Sequence, residues 1–225
     1  MAQRYGPRIV TDGLALCIDA NSARSYPGTG SSITDLVTGN TGSIAGSPTF
    51  SSGSFHLNGT SDYWDISSLV SNIDFTSNEA SVIVWLKLDV STPSDASKTG
   101  IFKLSSSTGN SHYVWTNSQA YLYAFRYVRV ESIVVTSAVT RTDWHMIAVT
   151  TTPGTNGWKF YQNTVLVKQA TGESSIDIGT ASYIGKSTDT RYLDGYLAST
   201  LIYNKALTST EIAQNYNAFK TRHIS

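Results

Sequence analysis

Between Ser81 and Asp89 the chain sets Val82, Val84, Leu86 and Leu88 on one parity, with Ile83 and Trp85 giving way to Lys87 and Asp89 on the other. A repeat of two is the period of an extended strand, whose successive side chains point to opposite faces. The run therefore predicts a strand that leaves the core at its end. Asp143 to Thr152 sets Trp144, Met146 and Ala148 against His145, Ile147 and Val149, so both parities are largely covered and the strand is expected near the middle of a sheet. Further strands are predicted near Leu14–Asp19, Ser54–Asn58, Tyr63–Ile66, Gly100–Leu104, His112–Thr116, Tyr121–Arg126, Val130–Thr136, Gly157–Gln162, Val165–Gln169, Ser182–Lys186 and Tyr196–Tyr203. Gly, Ser, Thr, Asn and Asp separate these runs, and Asn58-Gly59, Gly109-Asn110, Asn156-Gly157 and Asp194-Gly195 offer residues that tolerate positive φ. Asn156-Gly157 is the best hairpin candidate. The expected fold class is all-β: a two-sheet antiparallel β-sandwich of the jelly-roll kind with one short C-terminal helix.

That helix begins at Thr208, where Glu211 three residues on completes a capping box, and Ile212, Tyr216 and Phe219 then recur at helical spacing. The stripe should lie against the sandwich. Gly28 to Pro48 is Gly/Ser/Thr-rich, and Ile33, Leu36 and Ile44 would pin it as a long loop. With no internal repeat and no linker, the 225 residues divide into an N-terminal arm, 1–10, and one sandwich domain, 11–225.

Sixteen basic and sixteen acidic residues cancel and form no blocks, so neither nucleic acid nor an anionic membrane is an expected partner. No segment approaches the roughly 20 apolar residues of a membrane span, and membrane insertion is not expected. A single cysteine, Cys17, excludes an internal disulfide and points to assembly in a reducing cytoplasm.

A glycosidase on such a scaffold needs two carboxyl groups roughly 5–9.5 Å apart. The four glutamates, Glu79, Glu131, Glu173 and Glu211, are isolated in sequence, and no nucleophile elbow, phosphate loop or HExxH motif occurs. Asp143 and His145 would share a strand face, read here as a strand-edge acid and a satisfied imidazole. No enzymatic activity and no cofactor are expected, although calcium is conceivable at Asp35 and Asp62 in their polar loops. The aromatic content, thirteen Tyr and five Trp, is the stronger signal. Amphipathic rings suit sugar faces and protein interfaces. Tyr121 and Tyr123 share a parity, and with Trp115 and Arg126, and Asn117 nearby, they are the candidate ligand-binding residues.

Five stretches carry a resemblance: IVTDGLALCIDANSARSYPGTG, SFHLNGTSDYWDI, SVIVWLKL, DWHMIAVT and RYLDGYLASTLIYNKALTSTEIAQNYNAFK. In this order they resemble the successive motifs of laminin G-like, concanavalin A-like domains in structural proteins of tailed bacteriophages. Gly59, Asp62 and Tyr63 match the family's Phe-x-Gly-x-x-Asp-Tyr turn, and the closing strand, turn and capped helix match most specifically. Two departures stand out: Ala198-Ser199 where many relatives carry Asp-Glu, and Ile33 where an aromatic follows the Gly/Ser loop. The resemblance implies a virion protein, either a head decoration, a fibre or a tail-associated subunit. It would partner other virion proteins, form a homo-oligomer and expose a lectin-like sandwich for assembly or host adhesion. The alternative is a carbohydrate-binding module for a host surface glycan.

Overall fold

A computed structural model describes residues 8–75, 79–89, 99–105, 111–116, 121–126, 133–138, 143–172, 181–188 and 191–223, with backbone pairing alone over 111–138. The first half contains β1 (Leu14–Asp19), β2 (Ser32–Thr34), β3 (Thr41–Ala45), β4 (Thr49–Ser51), β5 (Ser54–Asn58), β6 (Tyr63–Asp65), a turn of helix α1 (Ser67–Val70), β7 (Ala80–Leu88) and β8 (Thr99–Ser105). Then follow β9 (Ser111–Thr116), β10 (Tyr121–Arg126), β11 (Ile133–Ala138), β12 (His145–Thr151), β13 (Gly154–Gln162) and β14 (Val165–Gly172). The chain closes with β15 (Tyr183–Ile184), β16 (Lys186–Thr188), β17 (Arg191–Tyr192), β18 (Asp194–Tyr203) and α2 (Ser209–His223).

Two antiparallel sheets form the sandwich, as the alternation requires. Sheet A runs β14-β13-β12-β7-β18-β5-β4 with β1 also paired to β18, and sheet B runs β11-β10-β9-β8-β15-β6-β3-β2. Between them lies one core in which Val84, Leu86, Ile147, Phe160 and Leu197 of sheet A meet Ile33, Trp64, Ile101 and Ile184 of sheet B. Each such side chain contributes about 1.5–3 kcal/mol by leaving water.

Sheet A is covered on its outer side as well. Ile83, Trp85, Met146, Ala148, Leu201 and Tyr203 form a second apolar layer with Ile212 and Phe219 of α2 and with Val10. This double coverage is why β7 and β12 read as near-continuous apolar runs although their sheet is antiparallel. Ala198 sits fully buried in that layer, where a family carboxylate would meet an apolar floor.

The capping box forms as expected: Glu211 Oε2 accepts from Thr208 N–H (2.8 Å) and its hydroxyl (2.9 Å), while Glu211 N–H donates to Thr208 Oγ1 (3.3 Å). Lys205 reinforces it by bridging Glu211 (2.7 Å) and Asp12 (2.5 Å), and its own pKa rises through those two hydrogen bonds, Asp12's being the larger influence.

Four expectations change. Residues 28–48 hold β2 and β3 rather than only a loop, because Ile33 and Ile44 anchor short strands in the core. Asp194-Gly195 opens β18 instead of making a turn; a Cβ at Gly195 would lie 2.2 Å from the Lys87 carbonyl. The strand expected over 182–186 breaks at Gly185, whose φ is +83°. β12 and β13 do form a hairpin, but Asn156-Gly157 is not its two-residue turn: the last cross-strand pair is Thr151 with Trp158, and both residues lie within β13, with Asn156 at φ +56° and Thr152 N–H donating to the Gly157 carbonyl (2.9 Å). Among the described residues no helix is long and apolar enough to cross a membrane.

Candidate functional site

The outer face of sheet B carries no described helix, and alternation along its strands brings tyrosines to it. In β6, buried Trp64 faces inward, so Tyr63 and Asp65 face out; in β15, buried Ile184 does the same for Tyr183. Tyr183 pairs with Asp65 on one side and with Lys103 of β8 on the other. The β16–β17 hairpin adds Tyr192 and Lys186. It packs against β8 only because Gly100 lacks a side chain: a Cβ there would stand 2.3 Å from the Arg191 carbonyl and 2.5 Å from Ser187 N.

The result is a cluster around one ammonium. Lys186 Nζ lies 4.8 Å from the ring centroid of Tyr63, 4.9 Å from that of Tyr183 and 5.2 Å from that of Tyr192. Lys103 Nζ stands 5.7 Å from the Tyr183 ring. Such distances are those at which a ring quadrupole attracts a cation, and they hold the rings in place around it. Tyr63 meets Tyr183 edge-on at 5.1 Å, and all three tyrosines remain partly exposed. Lys186 itself is buried, so the arrangement offers partly exposed ring surface and tyrosine hydroxyls held over its ammonium, with Lys103 at the side, a chemistry that suits a polyhydroxylated ligand.

The sequence-predicted residues lie on the neighbouring strands. Trp115 is in β9, which pairs with β8, and Tyr121, Tyr123 and Arg126 are in β10, one strand further. The register sets Trp115 opposite Tyr123 and Gly100, and Arg126 opposite His112, at the alternate parity to Tyr121 and Tyr123. Their side chains, and Asn117 altogether, lie outside the described residues.

Asp35 and Asp62 are buried on separate loops, each taken up by local donors. Asp35 accepts from the N–H groups of Cys17 (2.8 Å), Val37 (3.1 Å) and Thr38 (3.0 Å) and from the Thr38 hydroxyl (2.7 Å). Asp62 accepts from Ser47 N–H (2.9 Å), Asn58 N–H (3.1 Å) and the Ser61 hydroxyl (3.2 Å). His145 is buried with Nδ1 3.3 Å from Gln162 Nε2, while Asp143 is exposed. Burial, with Asp19 and Asp35 adding to it, pushes the Cys17 thiol up to about 12.

Sequence reasoning missed the Tyr183, Tyr192 and Lys186 group. Its signal was the alternation of Tyr with core residues in Tyr63-Trp64 and Tyr183-Ile184, too short in each case to stand out. A second group was also missed, on the outer face of sheet A beyond the end of α2. There Lys87 Nζ lies 4.2 Å from the Tyr196 ring centroid, His56 meets Tyr196 at 4.7 Å with the ring planes tilted by 35°, and Trp144 stands 4.7 Å from His223.

The family model of the concanavalin A-like lectin/glucanases superfamily (laminin G type) matches residues 58–213. The chain belongs to that superfamily. Compared by sequence with curated proteins, it matches none. Among solved structures, this superfamily member is similar to Trypanosoma rangeli sialidase in complex with sialic acid: 13% identity, TM-score 0.71, 96% of this chain but only 35% of the sialidase. It is similar over 90% of its length and 98% of the other's to domain 4 of AbnA, an extracellular arabinanase from Geobacillus stearothermophilus, in complex with arabinotriose, at 18% identity and TM-score 0.64. The receptor binding domain of botulinum neurotoxin C/D mosaic serotype aligns at 13% identity and TM-score 0.65, over 92% of this chain and 51% of that one. At these identities the likeness concerns the lectin/glucanase fold.

Proposed function

We propose that the chain is a non-catalytic, lectin-like module that binds an oligosaccharide on the outer face of sheet B. The observation that carries this reading is the partly exposed Tyr63–Tyr183–Tyr192 cluster fixed around Lys186 on a face that no described helix covers. It is supported by domain 4 of AbnA, a solved structure that shares the fold over 98% of its own length and is in complex with arabinotriose. The β9 and β10 positions of Trp115, Tyr121 and Tyr123 would extend the face sideways into a surface long enough for several sugar units.

The non-catalytic part is supported by where the described glutamates go. Glu211 caps α2, and Glu79 accepts from Ala206 N–H (3.3 Å), so both serve the C-terminal segment. Display on a bacteriophage particle, in a homo-oligomer with other virion proteins, is supported by the sequence motifs. A glycan array followed by calorimetric titration of the best ligand tests the binding. Release of reducing ends from the same glycan would overturn the non-catalytic reading. Antibody labelling of purified particles tests the location; absence of label would remove the virion role.

A further inference from the structure

Three strands of sheet A bring one metal-ligating side chain each to a single spot on its outer face, on the opposite sheet from the tyrosine cluster. His56 of β5 pairs with Tyr196 of β18, and Asp194, two residues earlier in β18, pairs with Asn58. Asp89 follows β7, where its N–H donates to the Asp194 carbonyl (3.1 Å). Strand alternation then sends all three side chains outward. His56 Nε2 is 3.0 Å from Asp89 Oδ2, and the ligand atoms of His56, Asp89 and Asp194 all lie within 4.8 Å of one another. The Asp194 carboxylate makes no hydrogen bond or ion pair among the described residues, although it is half-buried. The ammonium of Lys87 rests on the Tyr196 ring at 4.2 Å. Gly59 lets Asp194 sit this close to β5: a Cβ there would lie 2.9 Å from the Asp194 Cβ.

We infer that His56, Asp89 and Asp194 form a binding site for a divalent cation of the zinc type. One imidazole nitrogen with two carboxylate oxygens is a donor set for such an ion, whereas calcium takes six to eight oxygens. Bond lengths of about 2.0–2.2 Å put tetrahedral ligand atoms roughly 3.3 Å apart. His56 and Asp89 already stand near that spacing, and rotation of the Asp194 carboxylate closes the third side. Binding exchanges the His56–Asp89 hydrogen bond for two metal bonds and neutralises the Asp194 carboxylate. A fourth position stays open to solvent beside Tyr196, where water or an external oxygen ligand completes the tetrahedron.

The test uses the untagged full chain, stripped with EDTA and titrated with ZnCl2 by calorimetry. One Zn2+ per chain is expected, displaced by EDTA, with affinity at least tenfold weaker in His56→Ala and in Asp194→Asn. His223→Ala, on the same face but outside the triad, should bind Zn2+ as the parent does. Co2+ in place of Zn2+ should give visible d–d absorption that Asp194→Asn loses. No saturable uptake by the parent, or unchanged affinity in the nearly isosteric Asp194→Asn, overturns the site. Neither outcome bears on sugar binding by sheet B.

Discussion

Trp85, in the middle of sheet A, stacks on Tyr216 of the C-terminal helix, with ring centroids 5.5 Å apart and planes 17° apart. The helix is thereby part of the second core layer, with Ile212 and Phe219 buried beside the stacked pair. Phe219→Ala is expected to cost about 3–5 kcal/mol, the range for deleting a buried ring. Urea denaturation followed by tryptophan fluorescence checks this. A change near zero would mean that α2 is not needed to cover sheet A.

The root of the N-terminal segment is fastened to the same helix. Asn215 is fully buried, and its Oδ1 accepts from Val10 N–H (2.9 Å). The Tyr203 hydroxyl lies 3.0 Å from the Val10 carbonyl and 3.2 Å from Asn215 Oδ1, and donates its one proton to one of them. Asn215→Ala strands the Val10 N–H in an apolar layer, a loss of about 1–3 kcal/mol in the same denaturation experiment. Deleting residues 2–8 leaves Ile9 and Val10 in place. It should keep the melting temperature within a few degrees while abolishing incorporation into particles, if residues 1–10 act as the attachment arm.

His223 lies between Trp85 and Trp144, at 5.4 and 4.7 Å between ring centroids. Burial pulls its pKa down from 6.5 to about 4; Asp19 opposes the shift and Arg222 adds to it. The unfolded chain then binds the proton more readily than the folded one, so stability is level above pH 6.5, falls as pH drops towards 4, and levels off again below. Melting temperatures measured from pH 7.5 to 3.5 should show a step between 6.5 and 4 that His223→Gln reduces. An unchanged step in that variant would assign it to other groups.

Most of the fold was legible because period two survives wherever one face meets a core. Tyr121–Arg126 and Leu14–Asp19 coincide with β10 and β1, and the Thr208–Glu211 box marked the start of α2. The short edge strands β2 and β4 were not legible, since three residues with a single anchor such as Ile33 carry no period. The site was less legible for a different reason. Lys186 meets Tyr63 and Tyr183 through cross-strand register and a hairpin folded over Gly100, and His56 meets Asp89 and Asp194 through pairing between β5, β18 and β7. Neither relationship has a spacing along the chain. Asn215 was hidden too, as an amide in a helix reads as solvent-facing until its partners are known.

Tyr121 and Tyr123, if they extend the sugar face as their parity implies, can be replaced together by Ser with a fall in melting temperature of only a few degrees and weaker glycan binding. Unfolding of the double variant would place them in the core, and unaltered binding would confine the contact to β6, β15 and the β16–β17 hairpin.

The most direct measurement is the dissociation constant of the best array-selected oligosaccharide for the parent chain and for Tyr183→Ala and Tyr192→Ala. Removing one ring contact of about 0.5–1.5 kcal/mol should weaken binding up to about tenfold, and removing both should do more. Melting temperatures close to the parent's would show that the sandwich is intact. A parent chain that binds no glycan, or variants that bind as tightly as the parent, would contradict a lectin-like role for the outer face of sheet B.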